Sequence, residues 1–223
     1  MPRLWICFAP YVVMSAVHVA ALFAGAGDLA AWTKLALMPL LAVAVVWGAR
    51  GTAWSSPFTL LLIAIGLSWL GDGAGTFFPL LPTVPMMLLF FGLAHLFYIW
   101  LFTRHLAERR RLPLWSAVYA VWWIVLLAVL WPNLGGLAVA VAAYGLVLGG
   151  TAVTASRCHP LVVWGSVFFL TSDSILAFRI FTPDAMPGWT SPLVMLTYTL
   201  GQGLIAAGAL VSLRARTRVE AAA

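Results

Sequence analysis

Two aspartates stand where a carboxylate is hardest to keep: Asp72 within IGLSWLGDGAGTFF and Asp173 within GSVFFLTSDSILAFRIF. Each lies in a run long and apolar enough to cross a bilayer. An ionisable side chain there costs about 3 kcal/mol or more and persists where it has a function or a partner. The chain has six acidic residues and places two of them at that depth. Carboxylates transfer protons and stabilise charge, so this pair is where chemistry is to be sought.

Depth shows which other side chains can join them. At 1.5 Å per residue, Asp72 and Asp173 lie about 18–21 Å from the same end of their helices. His95 and Gln202 lie about 16–18 Å from the opposite end of theirs, in the same central to outer layer. Helical spacing adds Ser68 to Asp72, Tyr98 to His95 and Tyr198 to Gln202, and Ser172 and Ser174 flank Asp173. The basic residues inside the spans are Lys34 and Arg179, both near the outer boundary. They either snorkel to headgroups or face an inner cavity and meet a carboxylate or phosphate. A purely structural Lys–Asp or Arg–Asp bridge competes with a catalytic role for either aspartate. Serine and tyrosine in membrane helices also serve as packing contacts, and His18 in the first span reads as an interior residue.

The elements that position these residues follow from composition. Hydrophobic residues make up 64% of the 223 residues and charged residues 8%. So little polar surface cannot cover a soluble domain, which makes the chain an integral membrane protein. Apolar runs of about 20 residues favour an all-α polytopic bundle over a β-barrel. Spans are expected near 4–24, 30–48, 58–78, 83–103, 114–131, 136–155, 161–181 and 191–213, forming a single membrane domain over 1–223. The breaks carry Gly, Pro and Asn turn chemistry. Arg3, Arg50, Arg104, Arg109, Arg110, Arg111, Arg157, Arg214, Arg216 and Arg218 fall on the side of the termini. The opposite loops hold Asp28 and Asp184 and no Lys or Arg. That asymmetry predicts cytoplasmic N and C termini, and a place in the cytoplasmic membrane if the host is bacterial. It also explains the net charge of +6 as topology signals beside lipid headgroups rather than a nucleic-acid surface. Arg3, the first apolar run and Ala24-Gly-Ala26 resemble a signal peptide, but a run of about 20 residues exceeds the usual 7–15, so a retained span is expected. Cys7 and Cys158 fit neither a disulfide framework nor a CxxC metal site. Asp72 and Asp173 in helices three and seven, with His95 and Gln202 in helices four and eight, hint at two parallel four-helix halves.

The segments GLSWLGDGAG (66–75), FFGLAHLFYIWLF (90–102), GSVFFLTSDSILAFRIF (165–181) and YTLGQGLI (198–205), with Thr33-Lys34 in helix two, resemble the lysoplasmalogenase-like membrane proteins, the YhhN family. The resemblance runs in order over most of the chain. It departs where TKLALMP lacks a proline directly after the lysine. It implies an eight-helix hydrolase that cleaves the vinyl ether of a lysoplasmalogen to a fatty aldehyde and glycerophosphoethanolamine or glycerophosphocholine. Carried onto matching positions, it implies an active-site set of Asp72, His95, Tyr98, Asp173 and Gln202, with Lys34 near the substrate phosphate. Read from the residues themselves, Asp72, Asp173 and His95 are the candidate catalytic groups, and Ser172, Arg179 and Tyr198 join the set around the substrate. The partners implied are a lysolipid and the surrounding membrane lipids, with no cofactor.

The chemistry agrees with the residues. Vinyl ether hydrolysis puts a proton on the β-carbon, so it needs an acid that stays protonated near neutral pH, which burial beside a second carboxylate favours. The other carboxylate stabilises the oxocarbenium ion and polarises water, as in glycosidases. His95 is expected to orient one carboxylate or relay protons, and the phosphate to lie shallow, near Lys34 and Arg179. Two alternatives use the same residues. A proton-coupled transporter also needs intramembrane Asp, His and Lys, and a metal hydrolase would take Asp72, His95 and Asp173 as ligands. The topology has a direct check: a reporter fused after Ala223 is expected to be active on the cytoplasmic side, and activity on the opposite side alone overturns the orientation.

Overall fold

Hydrocarbon offers backbone N–H and C=O groups no partner, so a spanning segment must satisfy them internally, as a helix does. The computed structural model describes residues 4–220, with side chains described for 5–217. Arg3 and the side chain of Arg218, both counted on the arginine-bearing side, lie outside the described residues. Within them the α-helices are α1 Leu4–Phe23, α2 Gly27–Gly48, α3 Ser56–Asp72, the single turn α4 Ala74–Phe77, α5 Thr83–Leu101, α6 Val118–Leu130, α7 Ala138–Ala155, α8 Pro160–Phe181 and α9 Thr190–Glu220. Among the described residues seven helices are long and apolar enough to cross a membrane, which makes this a multi-pass membrane protein.

The expected span 58–78 is the one that differs. It is an apolar helix of 17 residues, about 26 Å long at 1.5 Å per residue against a hydrocarbon core of about 30 Å. Seven full-length spans and this shorter one therefore stand where eight similar spans were expected. The cause is the tract Gly71-Asp-Gly-Ala-Gly75, in which each glycine costs a helix about 1 kcal/mol relative to alanine. The helix stops at Gly73, and Phe77 folds back so closely that a Cβ on Gly73 would sit 2.3 Å from its ring. Asp72 is thus the last residue of α3, beside a turn rather than inside a continuous helix.

One end of the bundle gathers the basic segments. Arg214 Nε donates to the Gly48 carbonyl at 2.9 Å, Arg157 Nε donates to Arg109 O at 2.8 Å, and the Glu108 amide donates to Arg157 O at 2.8 Å. Exposed tryptophans mark both ends: Trp5, Trp54 and Trp115 at the arginine-bearing end, Trp32, Trp131 and Trp189 at the other. Amphipathic indoles favour these two membrane–water interfaces.

The centre of the bundle is α9, whose most apolar window is 72% buried against 17% for the peripheral span that contains α6. Apolar side chains gain little by leaving lipid for protein, so association of the helices depends on close backbone approach and polar contacts. Helices α8 and α9 supply the approach. A Cβ on Gly165 would lie 2.7 Å from the Ile205 nitrogen, one on Gly201 2.8 Å from the Phe169 nitrogen, and one on Gly208 2.9 Å from the Val162 nitrogen. The obstacles are backbone atoms and cannot rotate away. The Ser172 hydroxyl adds a clasp by donating to Val194 O at 2.9 Å.

This seam predicts a stability contrast. Gly201→Val is expected to destabilise the protein by about 1–3 kcal/mol or more through overpacking. Gly136→Ala, where nothing lies within 4 Å of the added Cβ, is expected to be neutral. Thermal unfolding in detergent reads both, and equal melting temperatures would remove the seam's importance.

Candidate active site

The glycine seam fixes α8 against α9, and α8 carries Asp173 while α9 carries Tyr198 and Gln202. Helix α3 brings Asp72 toward the same layer. Tyr198 donates its hydroxyl proton to Asp72 Oδ2 at 2.7 Å, and Lys34 Nζ stands 3.9 Å from Asp72 Oδ1. The carboxylate is 5% exposed and the lysine side chain 34%, so the ammonium reaches inward from a partly open position. Asp173 receives the hydroxyl of Tyr144, from α7, on its Oδ2.

An aromatic wedge borders both carboxylates. Phe91 packs on Gly71, where an added Cβ would sit 2.7 Å from its ring, and it also lines a cavity of about 50 Å³ beside Asp173 and Tyr144. Its ring meets Tyr198 edge-on at 6.0 Å and Phe169 at 6.4 Å, and Phe169 meets Tyr198 at 5.4 Å. Such edge-to-face pairs hold their partners in defined orientations.

Towards the arginine-bearing end a second polar chain crosses the bundle. Tyr98 donates to Gln202 Oε1 at 2.6 Å, Gln202 Nε2 donates to Ser68 Oγ at 3.0 Å, and Ser68 donates to Ala64 O at 2.9 Å. All three side chains are fully buried. The chain ties α5, α9 and α3 together, and its ends are satisfied, as buried polar groups require.

The structure thus brings Asp72, Tyr198 and Lys34 together, and links Tyr98, Gln202 and Ser68. His95 is placed differently from the expectation. Its Nδ1 shares a 3.1 Å hydrogen bond with Thr151 Oγ1, its Nε2 is buried with no hydrogen-bond partner, and its ring lies 4.7 Å from Phe169 and 5.8 Å from Tyr144. It touches the wedge and the tyrosine of Asp173 rather than either carboxylate. Ser172 commits its hydroxyl to Val194 O. Arg179 braces the loop before α9, donating to Thr190 Oγ1 at 2.5 Å and to Pro187 O at 3.4 Å. Among the described residues no three His, Cys, Asp or Glu side chains converge as a metal site, so Asp72, His95 and Asp173 do not form one ligand set.

Sequence reasoning passed over Tyr144, Thr151 and Phe91. It also treated His18 as a satisfied interior residue. His18 Nδ1 in fact meets Thr33 Oγ1 at 2.8 Å, and Thr33 gives its own proton to Leu29 O at 2.6 Å. His18 Nδ1 is therefore the donor, and its buried Nε2 is left without a partner.

The sequence model of the YhhN family matches residues 29–209. The chain belongs to the YhhN family. No curated protein and no solved structure matches it. The YhhN match takes in every site residue from Lys34 to Gln202. It begins after α1, so Tyr11 and His18 lie outside it.

The polar chain can be tested energetically. In a double-mutant cycle of Tyr98→Phe and Gln202→Leu, the coupling is expected to be about 0.6 kcal/mol and at most about 1.7, the range for hydrogen bonds between membrane helices. Reversible unfolding in mixed micelles measures it, and a coupling near zero means the bond is not formed.

Proposed function

We propose that this protein is a membrane hydrolase that cleaves the vinyl ether of lysoplasmalogens. Membership of the YhhN family supports the activity class. The observation that carries the reading is the unequal environment of two buried carboxylates: Lys34 stands beside Asp72, and Asp173 has a tyrosine hydroxyl and, among the described residues, no ion pair. A reaction that needs one carboxylic acid and one carboxylate calls for such an inequality.

The cation assigns the roles. Asp72, facing an ammonium at 3.9 Å, is the carboxylate, and Asp173 is the proton donor. Asp173 passes its proton to the β-carbon of the vinyl ether, and the π electrons form the new C–H bond. The adjacent carbon and the ether oxygen share the resulting positive charge. Asp72 stabilises that charge and takes a proton from the water that attacks the carbon. The hemiacetal so formed transfers its hydroxyl proton to the ether oxygen and breaks into a fatty aldehyde and the glycerol hydroxyl of the glycerophospho-alcohol. One water is consumed, and the proton held by Asp72 returns to Asp173 between turnovers. Tyr198 and Tyr144 hold the two carboxylates in orientation. Lys34 belongs to the reacting centre first, and the substrate phosphate lies beyond it, toward the end of the bundle where Arg179 braces the loop.

The test is aldehyde release from a lysoplasmalogen by the pure protein in detergent. Asp173→Asn is expected to lower kcat by about 10²–10⁴, the usual contribution of general acid catalysis, with little change in KM. Asp72→Asn also lowers kcat. Because Lys34 acts through Asp72, Lys34→Met combined with Asp72→Asn costs no more than Asp72→Asn alone. Absence of aldehyde from the unsubstituted protein, with substrate uptake driven by a pH gradient in vesicles, replaces the hydrolase by a proton-coupled carrier.

A further inference from the structure

Helices α2 and α3 part along one side to leave a groove of about 640 Å³ that none of the steps above uses. Its walls are Met38, Ala42 and Val46 from α2 and Leu62, Gly66 and Trp69 from α3. The lining is almost wholly apolar, and both ends are marked by charge. Met38 lies one helical turn from Lys34 on the same face, and Trp69 lies three residues from Asp72, so the ion pair lies about one helical turn beyond the top of the groove. The Trp69 indole is fixed there by donating to Leu35 O at 2.8 Å. At the other end Arg50 lines the groove at the arginine-bearing boundary.

The dimensions suit one hydrocarbon chain. Met38 to Arg50 spans about 18 Å at 1.5 Å per residue, slightly more than the ~15 Å that half a bilayer's hydrocarbon core gives a lipid tail. The floor is open at Gly66, where an added Cβ would meet nothing within 4 Å although the residue sits in mid-helix between packed spans. The direction follows from the chemistry. A lysolipid with its phosphate at Arg50 would hold its ether only a few bonds away, far from Asp72. A substrate whose ether reaches Asp72 and whose tail fills the groove must run the other way.

We propose that the α2–α3 groove holds the alkenyl chain of the substrate, running from the Lys34–Asp72 pair toward Arg50, and so sets chain-length preference. This rests on the hydrolase reading above. A tail that leaves the bilayer for the groove exchanges one apolar surrounding for another, so burial gives little preference and shape decides. The groove between α1 and α9 is of similar size, about 590 Å³, but Tyr11 on its wall gives its hydroxyl to Thr199 O at 2.7 Å, and among the described residues no charged side chain lines it.

The test is a series of vinyl ether lysolipids of increasing chain length, assayed by aldehyde release with the full-length protein and three variants. Gly66→Phe places a ring about 9 Å from Asp72 along α3, and Val46→Trp places one about 18 Å from Lys34 along α2. Each is expected to lower kcat/KM at least about tenfold for chains longer than its own limit, since pockets reject added methylenes by roughly 10–200-fold. The limit should be short in Gly66→Phe and longer in Val46→Trp. Val12→Trp fills the α1–α9 groove and is expected to leave the length profile as in the unsubstituted protein. A limit that does not move with the depth of the block shows that ordinary lipid occupies the groove and overturns the inference. A limit that moves only in Val12→Trp overturns it in favour of the other groove. Should Gly66→Phe fail to fold, Val46→Trp still decides through the position of its limit. No turnover at any length by the unsubstituted protein removes the hydrolase reading and this inference together, a result distinct from turnover with an unmoved limit.

Discussion

A carboxylate held inside hydrocarbon has to be met by a donor from another helix, because its own helix has no free N–H to offer and lipid has none at all. Here that constraint fixes helix rotation. Asp72 on α3 is met by Tyr198 on α9 and by Lys34 on α2; Asp173 on α8 is met by Tyr144 on α7. Each contact is satisfied only when both helices present the correct face at the correct depth. The glycine seam between α8 and α9 then sets the relation between the two halves of the site. Asp173 and Tyr198 sit on opposite sides of a backbone-to-backbone contact that has almost no freedom to slide. Packing and chemistry are therefore determined by the same few residues, and a change at Gly165 or Gly201 displaces a carboxylate relative to its donor.

The two carboxylates differ in their surroundings, because one cation reaches one of them. Removing one member of a buried pair leaves the other charge uncompensated, which costs more than the pair contributes. Lys34 and Asp72 are thus bound to each other by more than proximity. The lysine remains partly open to the outside of the bundle while the aspartate is almost closed. An ammonium in that position can hold its carboxylate and still face an anionic group arriving from the membrane.

Much of this was legible in the sequence, and the limit is physical. Apolar run length and arginine placement report depth and which helix ends share a side, so the helices could be read directly, while Gln202, expected in the carboxylates' layer, bonds Tyr98 and Ser68 nearer the arginine-bearing end. Depth carries no information about rotation. That is why His95, at the right height, turns out to face Thr151, Phe169 and Tyr144 instead of a carboxylate. Tyr144 gave one faint sign: in AVAVAAYGLVLGGT it is the first side chain of α7 able to donate a hydrogen bond. Tyrosines in membrane helices are so often packing contacts that this did not distinguish it. The stop at Gly73 was legible in composition, since the tract after Gly71 is rich in glycine. Treating 58–78 as one span gave hydropathy more weight than helix propensity, and hydropathy is indifferent to where a helix ends. Arg179 and Ser172 had the right chemistry, but their polar groups serve the loop and the α8–α9 seam.

The space between the carboxylates bears on how the site works. The cavity beside Asp173 is about 50 Å³, room for a few water molecules but not for a lipid. Phe91 is one of its walls, and the other side of the ring rests on Gly71. On the proposed hydrolase reading, a substrate ether that meets both Asp72 and Asp173 would have to displace that ring. Phe91 is held by edge contacts with Phe169 and Tyr198, each worth only about 0.5–1.5 kcal/mol beyond burial. An arriving lipid can offset such contacts with its own packing. Under that reading the ring is an apolar plug beside the proton donor and limits the water reaching it. A reaction that passes through an oxocarbenium ion would benefit from a site whose space is made by the substrate that fills it.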